Sequence, residues 1–237
     1  MTTQMKKEIK ENEVNFLLKK TWSNFIENLK VFLSKKLNMF SFSLVIFLIF
    51  IAIFSSILSP HQFDQVNPSN ALAPPSLEHF MGTDTTGRDI FSRVLHGTTT
   101  SLSLALSTII FGLVIGVSLG AISGYFVGIV DEIIMRIVDV FMSIPGVILA
   151  LAMVAILGPD PVYLVLALSI RRIIQFARVT MGVVLSIKEL DYISACHAIG
   201  MGHARIIFLH VLPNCIGPII VLSTVLIGNV ILMESTL

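Results

Sequence analysis

The sequence has 237 residues, of which 54% are hydrophobic and only 13% are charged, and its formal net charge is +1. This balance excludes an ordinary soluble globular domain, because it lies far outside the usual range for such domains. It also excludes a nucleic-acid partner, since binding phosphates needs lysines and arginines clustered on a folded face. The two cysteines, Cys196 and Cys215, show no C-x-x-C or Cys/His spacing typical of metal ligands, so we expect neither a zinc site nor a disulfide framework.

Residues 1–38 form a lysine-rich segment before the first apolar run. Apolar side chains recur there at three- and four-residue spacing, which predicts an amphipathic helix lying in the headgroup plane of a membrane. A topology anchor is the favoured interpretation, with a regulatory contact as the alternative. Eight lysines precede the first run, whereas residues 59–100 hold only Arg88 and Arg93, so we expect a cytoplasmic N-terminus. The late position of the first run also argues against a cleavable signal peptide.

Five apolar runs, each of about 20 residues or more, are long enough to cross a hydrocarbon core as helices. They are residues 39–58, 101–127, 133–157, 162–184 and 214–233. The fourth is the least certain span, because its second half is crowded with polar groups and arginines are costly in lipid. Those groups are Arg171, Arg172, Gln175 and Arg178. Counting crossings places residues 59–100 outside the cell and the loop of residues 185–213 inside it.

Residues 59–100, the outer segment, begin with a loop rich in proline, asparagine and serine. The segment is too short to hold a binding domain, so substrate capture would fall to a separate protein. Thr85 or Thr86 can cap a short helix over residues 89–96. A calcium loop needs more oxygen ligands and a closing glutamate, so a rigid outer cap without metal is expected. The residues of this cap are Gly82, Asp84, Gly87, Arg88 and Asp89.

Five glycines recur at four-residue intervals: Gly112, Gly116, Gly120, Gly124 and Gly128. Such spacing lets neighbouring helix backbones approach closely. Each four-residue step drifts by about 40° on a helix of 3.6 residues per turn, so we expect two or more neighbours to use the stripe. Close packing is favoured over lining a pore.

The third apolar run contains a charged pair and a proline. Arg136 and Asp139 lie three residues apart on one predicted helix face, where pairing would lower the cost of burial. Pro145 should kink the helix and free a backbone carbonyl. A kinked helix beside paired charges suits a gate, and an inert structural kink is an equal alternative.

The loop of residues 185–213 carries the most informative pattern. Small residues permit close docking of one short helix, two glycines allow a sharp turn, and a second short helix follows over residues 203–210. Such a compact helix–turn–helix suits insertion into a groove of another protein. The small residues are Ser194, Ala195, Cys196 and Ala198, the glycines are Gly200 and Gly202, and Pro213 opens the last run.

At these residues the chain closely resembles the permease subunits of bacterial ATP-binding-cassette importers, in particular the second, C-type permease of the dipeptide, oligopeptide and nickel group. The resemblance covers residues 82–225 and rests on separated motifs in the expected order. In the loop the matching residues are Ala195, Gly200, Ile207, His210, Leu212, Pro213 and Asn214. In the outer segment they are Gly82, Thr83, Asp84, Gly87, Arg88, Asp89, Ser92 and Arg93. Further matches are Gly124, Tyr125, Asp131, Met135, Arg136, Asp139, Pro145, Ala177, Arg178 and Tyr192.

The resemblance implies an all-α, polytopic transmembrane helical bundle with the type I importer permease fold, whose transmembrane core is residues 101–237. It also implies that residues 185–213 are a coupling loop that docks on an ATPase, and the name coupling loop is used for them below. The implied docking residues are Tyr192, Ser194, Ala195, Cys196, Ala198, Gly200, Ile207, His210 and Pro213. The implied pathway or gate residues are Arg136, Asp139, Pro145, Arg171, Arg172, Gln175 and Arg178.

The partners implied by the resemblance are a second permease subunit, two ATPase subunits, an extracytoplasmic solute-binding protein and the lipid bilayer of the bacterial cytoplasmic (inner) membrane. The chain is expected to bind no cofactor or metal, with ATP and magnesium held by the ATPases, because it has no G-x-x-x-x-G-K-[ST] motif. Its histidines and carboxylates form no helical ligand pair or nucleophile–base set, so no catalytic residue is expected.

The chain also departs from the family pattern. Ser194 and Cys196 stand where a glutamate and an alanine are usual, and an arginine common near Thr99 is absent. Family members continue beyond residue 237 into another outer loop and a final span, so the fold is expected to lack its last span. A nonfunctional truncated permease is one alternative, and a secondary carrier or channel is the other. The signatures do not separate dipeptide, oligopeptide and nickel as substrates.

Overall fold

The computed structural model describes residues 34–158 and 160–236, and within them it contains no β-strand beyond an isolated bridge between Thr83 and Asp89. The all-α class is therefore confirmed. The amphipathic pattern predicted between residues 16 and 33 lies outside the described residues. The α-helices are α1 Lys36–Leu58, α2 Ile90–Tyr125, α3 Ile129–Met142, α4 Gly146–Leu157, α5 Pro161–Lys188, α6 Asp191–Ala198, α7 His203–Ile206 and α8 Leu212–Glu234. A 3-10 turn lies at Pro68–Asn70 and a π-helical turn at Ile207–Val211.

Two compact units divide the chain, one ending at Thr98 and the other beginning at Thr99. The first unit contains α1 and most of the outer segment. Only Ser55 is buried along α1, and nearly all of its apolar side chains are exposed, as expected of a helix that faces lipid or a partner. The outer segment is held by backbone hydrogen bonds between its two halves, for example from Leu72 N to Asp84 O at 3.1 Å. It is an ordered cap rather than a loose loop.

The second unit is built around α5. Helices α3, α4 and α8 all contact it, and its buried face includes Phe176 and Ala177, both with no exposed surface. The α5 helix starts at an Asp160 cap, whose side chain accepts a hydrogen bond from Val162 N at 2.8 Å, with Pro161 at the first position. The same helix supplies most of the predicted pathway residues, so its packing positions them.

The glycine stripe packs α2 against α5. A Cβ atom added at Gly116 would lie 2.5 Å from Ile173 O, and one added at Gly120 would lie 2.3 Å from Ala177 O. Gly112 and Gly124 also face α5, which corrects the expectation that two or more neighbours share the stripe. Residues spaced four apart form a row that is inclined to the helix axis. A single helix that crosses α2 along this row can therefore contact every glycine in it. Gly128 is not part of this contact, since it precedes α3.

The kink expected at Pro145 is a complete break. Helices α3 and α4 are bent by 83° across residues 143–145. Pro145 lacks an amide hydrogen and disfavours helical geometry in the residue before it, which explains why α3 ends at Met142. The predicted third span is therefore two short helices.

Three helical segments within the described residues are long and apolar enough to cross a membrane: α1, α2 and the continuous segment His203–Glu234. The bent pair α3–α4 would add a fourth. Helix α5 has 28 residues but fails on composition, because its arginines interrupt every apolar stretch of span length. By length and composition, the described residues therefore contain at most four candidate spans and not the expected five. The missing span is the fourth apolar run, whose arginines make it the least certain.

Candidate functional site

Helix α6 presents a small-residue surface on the coupling loop. Ile193 and Cys196 are buried and fix the helix against the rest of the second unit. Ser194, Ala195 and Ala198 are exposed. The predicted first short helix is therefore present, but Cys196 faces inward. The exposed side chains are short, so another protein could approach the α6 backbone closely.

Gly200 ends α6 in a turn that needs a left-handed residue. Its φ is +75°, and Gly200 N donates to His197 O at 2.9 Å while Met201 N donates to Cys196 O at 3.0 Å. These two bonds form a Schellman motif, which satisfies carbonyls at the end of a helix. Nothing lies within 4 Å of a Cβ added at Gly200, so the requirement is conformational and not one of space. The turn defines the direction that the chain takes after α6.

The second short helix of the coupling loop does not end at His210. Helix α7 passes into the π-helical turn Ile207–Val211 and then directly into α8, with Pro213 near the first position of α8. Ile207 is buried, while His210 is half-buried and its ring lies 6.4 Å from that of Tyr192. Asn214 Nδ2 donates to His210 O at 2.6 Å and to the Tyr192 hydroxyl at 3.3 Å. The loop and the last apolar helix are thus one piece.

A polar network fastens the coupling loop to the end of α2. The Tyr125 hydroxyl lies 2.9 Å from Nδ1 of His203 and 3.3 Å from Nε2 of His197. Lys188 Nζ donates to Tyr125 O at 2.7 Å. Tyr125 appeared in the sequence only as one match among many, and its partners are too distant in the chain for spacing to reveal them. The network holds α2, α5 and both halves of the loop together.

Arginines line a cavity of about 520 Å³ between α4, α5 and α8, named here the arginine cavity. Arg172 is 2% exposed, and its Nη1 donates to Gln175 Oε1 at 2.7 Å while Nη2 lies 3.6 Å from Met233 Sδ. Its Nε has no hydrogen-bond partner among the described residues. None of the described lining residues carries a carboxylate. The lining residues are Pro145, Gly146, Val147, Arg171, Arg172, Gln175, Asn229, Leu232, Met233 and Thr236.

The charged pairs differ from the predicted one. Arg136 does not pair with Asp139, but approaches Glu132 at 3.9 Å on the same helix, with both side chains mostly exposed. Asp139 accepts a hydrogen bond from Arg178 of α5. The correction has a physical cause: α5 packs on α3 and brings the long Arg178 side chain to Asp139. Of the predicted pathway or gate residues, four line the arginine cavity, namely Pro145, Arg171, Arg172 and Gln175, whereas Arg136, Asp139 and Arg178 do not.

The outer signature is organised by Asp84. Its carboxylate accepts hydrogen bonds from Thr86 N at 2.8 Å, Thr86 Oγ1 at 2.7 Å, Arg88 N at 3.0 Å, Arg88 Nε at 2.8 Å and also from Arg93. These bonds, that from the Thr86 hydroxyl foremost, hold the pKa of Asp84 well below its usual range. The tight turn also needs Gly87, whose φ is +77° and whose added Cβ would overlap Asn67 O at 1.8 Å.

Asp89 caps α2, which corrects the expectation that Thr85 or Thr86 would do so. Its Oδ2 accepts a hydrogen bond from Ser92 N at 2.8 Å, and Oδ1 lies 2.9 Å from Nδ1 of His79. Burial raises the pKa of Asp89, but the hydrogen bonds from Ser92 and His79 outweigh burial, so the net shift is downward. The helix then runs without interruption to Tyr125 and does not stop near His96. The predicted rigid cap is thus a network around two ionised carboxylates.

The sequence is similar to those of known proteins over most of its length. The family described as binding-protein-dependent transport system inner membrane component matches residues 112–237, and the N-terminal TM domain of oligopeptide transport permease C matches residues 22–75. A dipeptide transport system permease protein of Alkalihalophilus pseudofirmus is 38% identical over 91% of this chain and 70% of its own length. An oligopeptide transport system permease protein of Bacillus subtilis is 33% identical over 92% of this chain and 72% of its own. A glutathione transport system permease protein of Pectobacterium atrosepticum is 38% identical over 81% of this chain and 64% of its own.

Proposed function

The chain belongs to the family of binding-protein-dependent inner membrane transport components and is a multi-pass permease subunit of an ATP-binding-cassette importer, and we propose that its coupling loop drives a peptide pathway lined by the arginine cavity. The family is a transport permease rather than an enzyme. ATP and magnesium then belong to ATPase partners. The observation that carries the coupling role is α6, a helix with an exposed small-residue face, anchored from behind by two buried side chains.

The assembly that fits this role contains a second permease subunit, two ATPase subunits and an extracytoplasmic solute-binding protein. The excess of lysines before α1 supports an N-terminus on the cytoplasmic side. With the N-terminus inside, the outer segment faces the binding protein and the coupling loop faces the ATPases. Small exposed residues on α6 suit insertion into a groove, because the partner can reach the helix backbone.

A peptide is the substrate class that the arginine cavity supports. The relatives are named for dipeptide, oligopeptide and glutathione transport. Arg171 and Arg172 face a cavity whose described lining has no carboxylate, so a substrate carboxylate would supply the missing countercharge. Two guanidinium groups repel a bare divalent cation, which favours a peptide over a free nickel ion.

The coupling role is tested in proteoliposomes that hold the full importer. Ala195→Trp adds a large side chain to the exposed face of α6, where it has room in this chain but not in a docked groove. We expect ATP-driven peptide uptake to fall about tenfold or more, as for loss of a hot spot. Glu132→Trp, at a position 70% exposed on α3, is the matched control and should keep uptake near the parent level. Equal uptake by the parent and Ala195→Trp would refute docking through α6.

A further inference from the structure

Three potential metal ligands meet in the outer segment, although they are far apart in the sequence. His61 follows α1, His79 lies in the loop before the glycine-rich turn, and Asp89 precedes α2. One ligand atom of each residue lies within 4.8 Å of the other two. All three belong to the first unit. We propose that His61 and His79, with Asp89 supporting His79 from its other nitrogen, form a binding site for a divalent cation of the zinc class.

His79 presents one nitrogen that the protein leaves unused. The residue is 9% exposed, and its Nδ1 lies 2.9 Å from Asp89 Oδ1, so Nδ1–H donates to the carboxylate. Nε2 then carries the lone pair, and this buried atom has no hydrogen-bond partner among the described residues. A carboxylate that fixes the tautomer of a histidine through its other nitrogen is the usual support of a metal ligand.

His61 is fixed in the same way by a backbone carbonyl. Its Nε2 lies 2.9 Å from Glu78 O, and because a carbonyl can only accept, Nε2 carries the hydrogen and Nδ1 the lone pair. The backbone is held as well, since His61 N donates to Ser92 Oγ at 3.2 Å. The rings of His61 and His79 lie 4.7 Å apart at 36°. Each imidazole, in its neutral form, therefore has its lone pair on a defined nitrogen.

The space beside these groups fits an ion with bound water. His61, His79 and Asp89 share a polar cavity of about 180 Å³, which exceeds the volume of one water several-fold. Two imidazole ligands, completed by water, favour zinc and its neighbours over calcium or magnesium, which prefer all-oxygen sites.

A purely structural role for the His79–Asp89 pair explains less. It accounts for the bond at Nδ1, but leaves Nε2 of His79 buried at a cost and gives no reason for the His61 ring to lie beside it. A bound cation uses both. It would tie His61, three residues after α1, to His79 and through Asp89 to the start of α2, independently of how the permease is coupled.

The proposal is tested on the full chain, purified in detergent and stripped of metal with a chelator. Co²⁺ is titrated as a visible-absorption probe, and Zn²⁺ is then added as the competitor. We expect the intense spectrum of tetrahedral Co²⁺ to saturate at one equivalent and to be abolished by Zn²⁺. Zn²⁺ should also raise the thermal midpoint of the chain. Absence of a tetrahedral Co²⁺ spectrum in the parent chain overturns the proposal without reference to any variant.

His61→Gln is the variant that assigns the site. Glutamine can still donate to Glu78 O, and the change leaves the His79–Asp89–Ser92 bonds untouched, so the fold should survive. We expect at least a tenfold loss of Co²⁺ affinity, in the range found for weakened metal sites, and no zinc-dependent rise in thermal midpoint. His96→Gln, whose ring packs on Phe63 in the same outer segment, is the matched control and should bind as the parent does. Equal affinity in the parent and His61→Gln would place the metal elsewhere and refute the assignment.

Discussion

The hydroxyl of Tyr125 lies 2.9 Å from Nδ1 of His203, although 78 residues separate the two in the chain. Tyr125 is the last residue of α2, and His203 is the first residue of α7. The contact therefore ties the end of a long apolar helix to the coupling loop. Under the coupling role proposed above, the loop needs such an attachment to transmit force, and its loss should affect coupling more than folding.

Removing the Tyr125 hydroxyl tests this attachment. Tyr125→Phe keeps the ring, which is 4% exposed, but leaves His197 and His203 without their shared partner. We expect the free energy of unfolding to fall by about 1 kcal/mol, the usual net value of one hydrogen bond. In the assembled importer, the peptide transported per ATP hydrolysed should fall as well. Tyr163→Phe, at a position 36% exposed on α5, is the control, and an equal effect of both changes would refute a special role for Tyr125.

Gly200→Ala strains the turn that ends α6. A Cβ at φ +75° is unfavourable by about 1–2 kcal/mol, although no atom obstructs it. We expect a lower thermal midpoint and reduced ATP-driven uptake. Gly202→Ala is a close control, because Gly202 has φ −65° and equal space around it, and it should behave as the parent. If both variants lose uptake equally, the backbone conformation of Gly200 is not what matters.

Arg172→Met tests the substrate carboxylate. Because Arg172 is buried without an acidic partner in the cavity lining, its loss should not lower the thermal midpoint. We expect the parent importer to prefer a peptide with a free C-terminal carboxylate over its amide by about tenfold, since a hydrogen bond to a charged group is worth about 1.5–3 kcal/mol. Arg172→Met should lose this preference in uptake assays. Arg136→Met, at an exposed position on α3, should retain it, and a preference unchanged in Arg172→Met would rule out recognition by this group.

Acid should loosen the outer segment through Asp84. Its pKa is lower in the folded chain than in the unfolded one, so its contribution to stability is present above the unfolded value near pH 4 and is lost as pH falls toward the folded value. Asp89, whose pKa is also lowered, adds to the same trend. We expect the thermal midpoint of the parent to drop below about pH 4, and the drop to be smaller in Asp84→Asn. Asp64→Asn, in the same segment, should retain the full drop, and identical pH profiles for all three proteins would contradict this account.

Gly120→Ala probes the contact between α2 and α5. The new Cβ would lie 2.3 Å from Ala177 O, a backbone atom that cannot rotate away, so the helices must separate. Overpacking of this kind lowers the free energy of unfolding by about 1–3 kcal/mol. Gly182→Ala has nothing within 4 Å and should instead be neutral or stabilising by up to about 1 kcal/mol through helix propensity. Chemical denaturation of both variants gives the comparison, and a neutral Gly120→Ala would show that the two helices do not pack so closely.

The sequence predicts the parts of this fold that depend on local patterns. Apolar runs of span length locate α1, α2 and α8, and Pro145 locates the break between α3 and α4. Gly200 predicts the turn after α6, because few other residues adopt its conformation. In each of these places the nearest neighbours in the chain decide the geometry.

Prediction from the sequence fails for contacts between elements that are distant in the chain. Spacing on one helix suggested that Arg136 pairs with Asp139, yet Asp139 is bound by Arg178, 39 residues away. The partners of Tyr125 and the meeting of His61, His79 and Asp89 also have no spacing that a motif could capture. The drift of the glycine stripe predicts two or more neighbours, yet Gly112, Gly116, Gly120 and Gly124 all face the single helix α5. Such contacts are set by packing, which one chain's periodicity does not encode.

The uninterrupted passage from α7 through the π-helical turn into α8 has a mechanical consequence. The segment His203–Glu234 begins directly after Gly202. Near its other end it carries Met233, which lies against Arg172. Its 32 residues behave as a rod roughly 48 Å long, at about 1.5 Å per residue, with some give at Pro218, which lacks an amide donor. Because no loop interrupts this rod, a displacement at its coupling-loop end would be carried by helix, bent only at Pro218, to the wall of the arginine cavity.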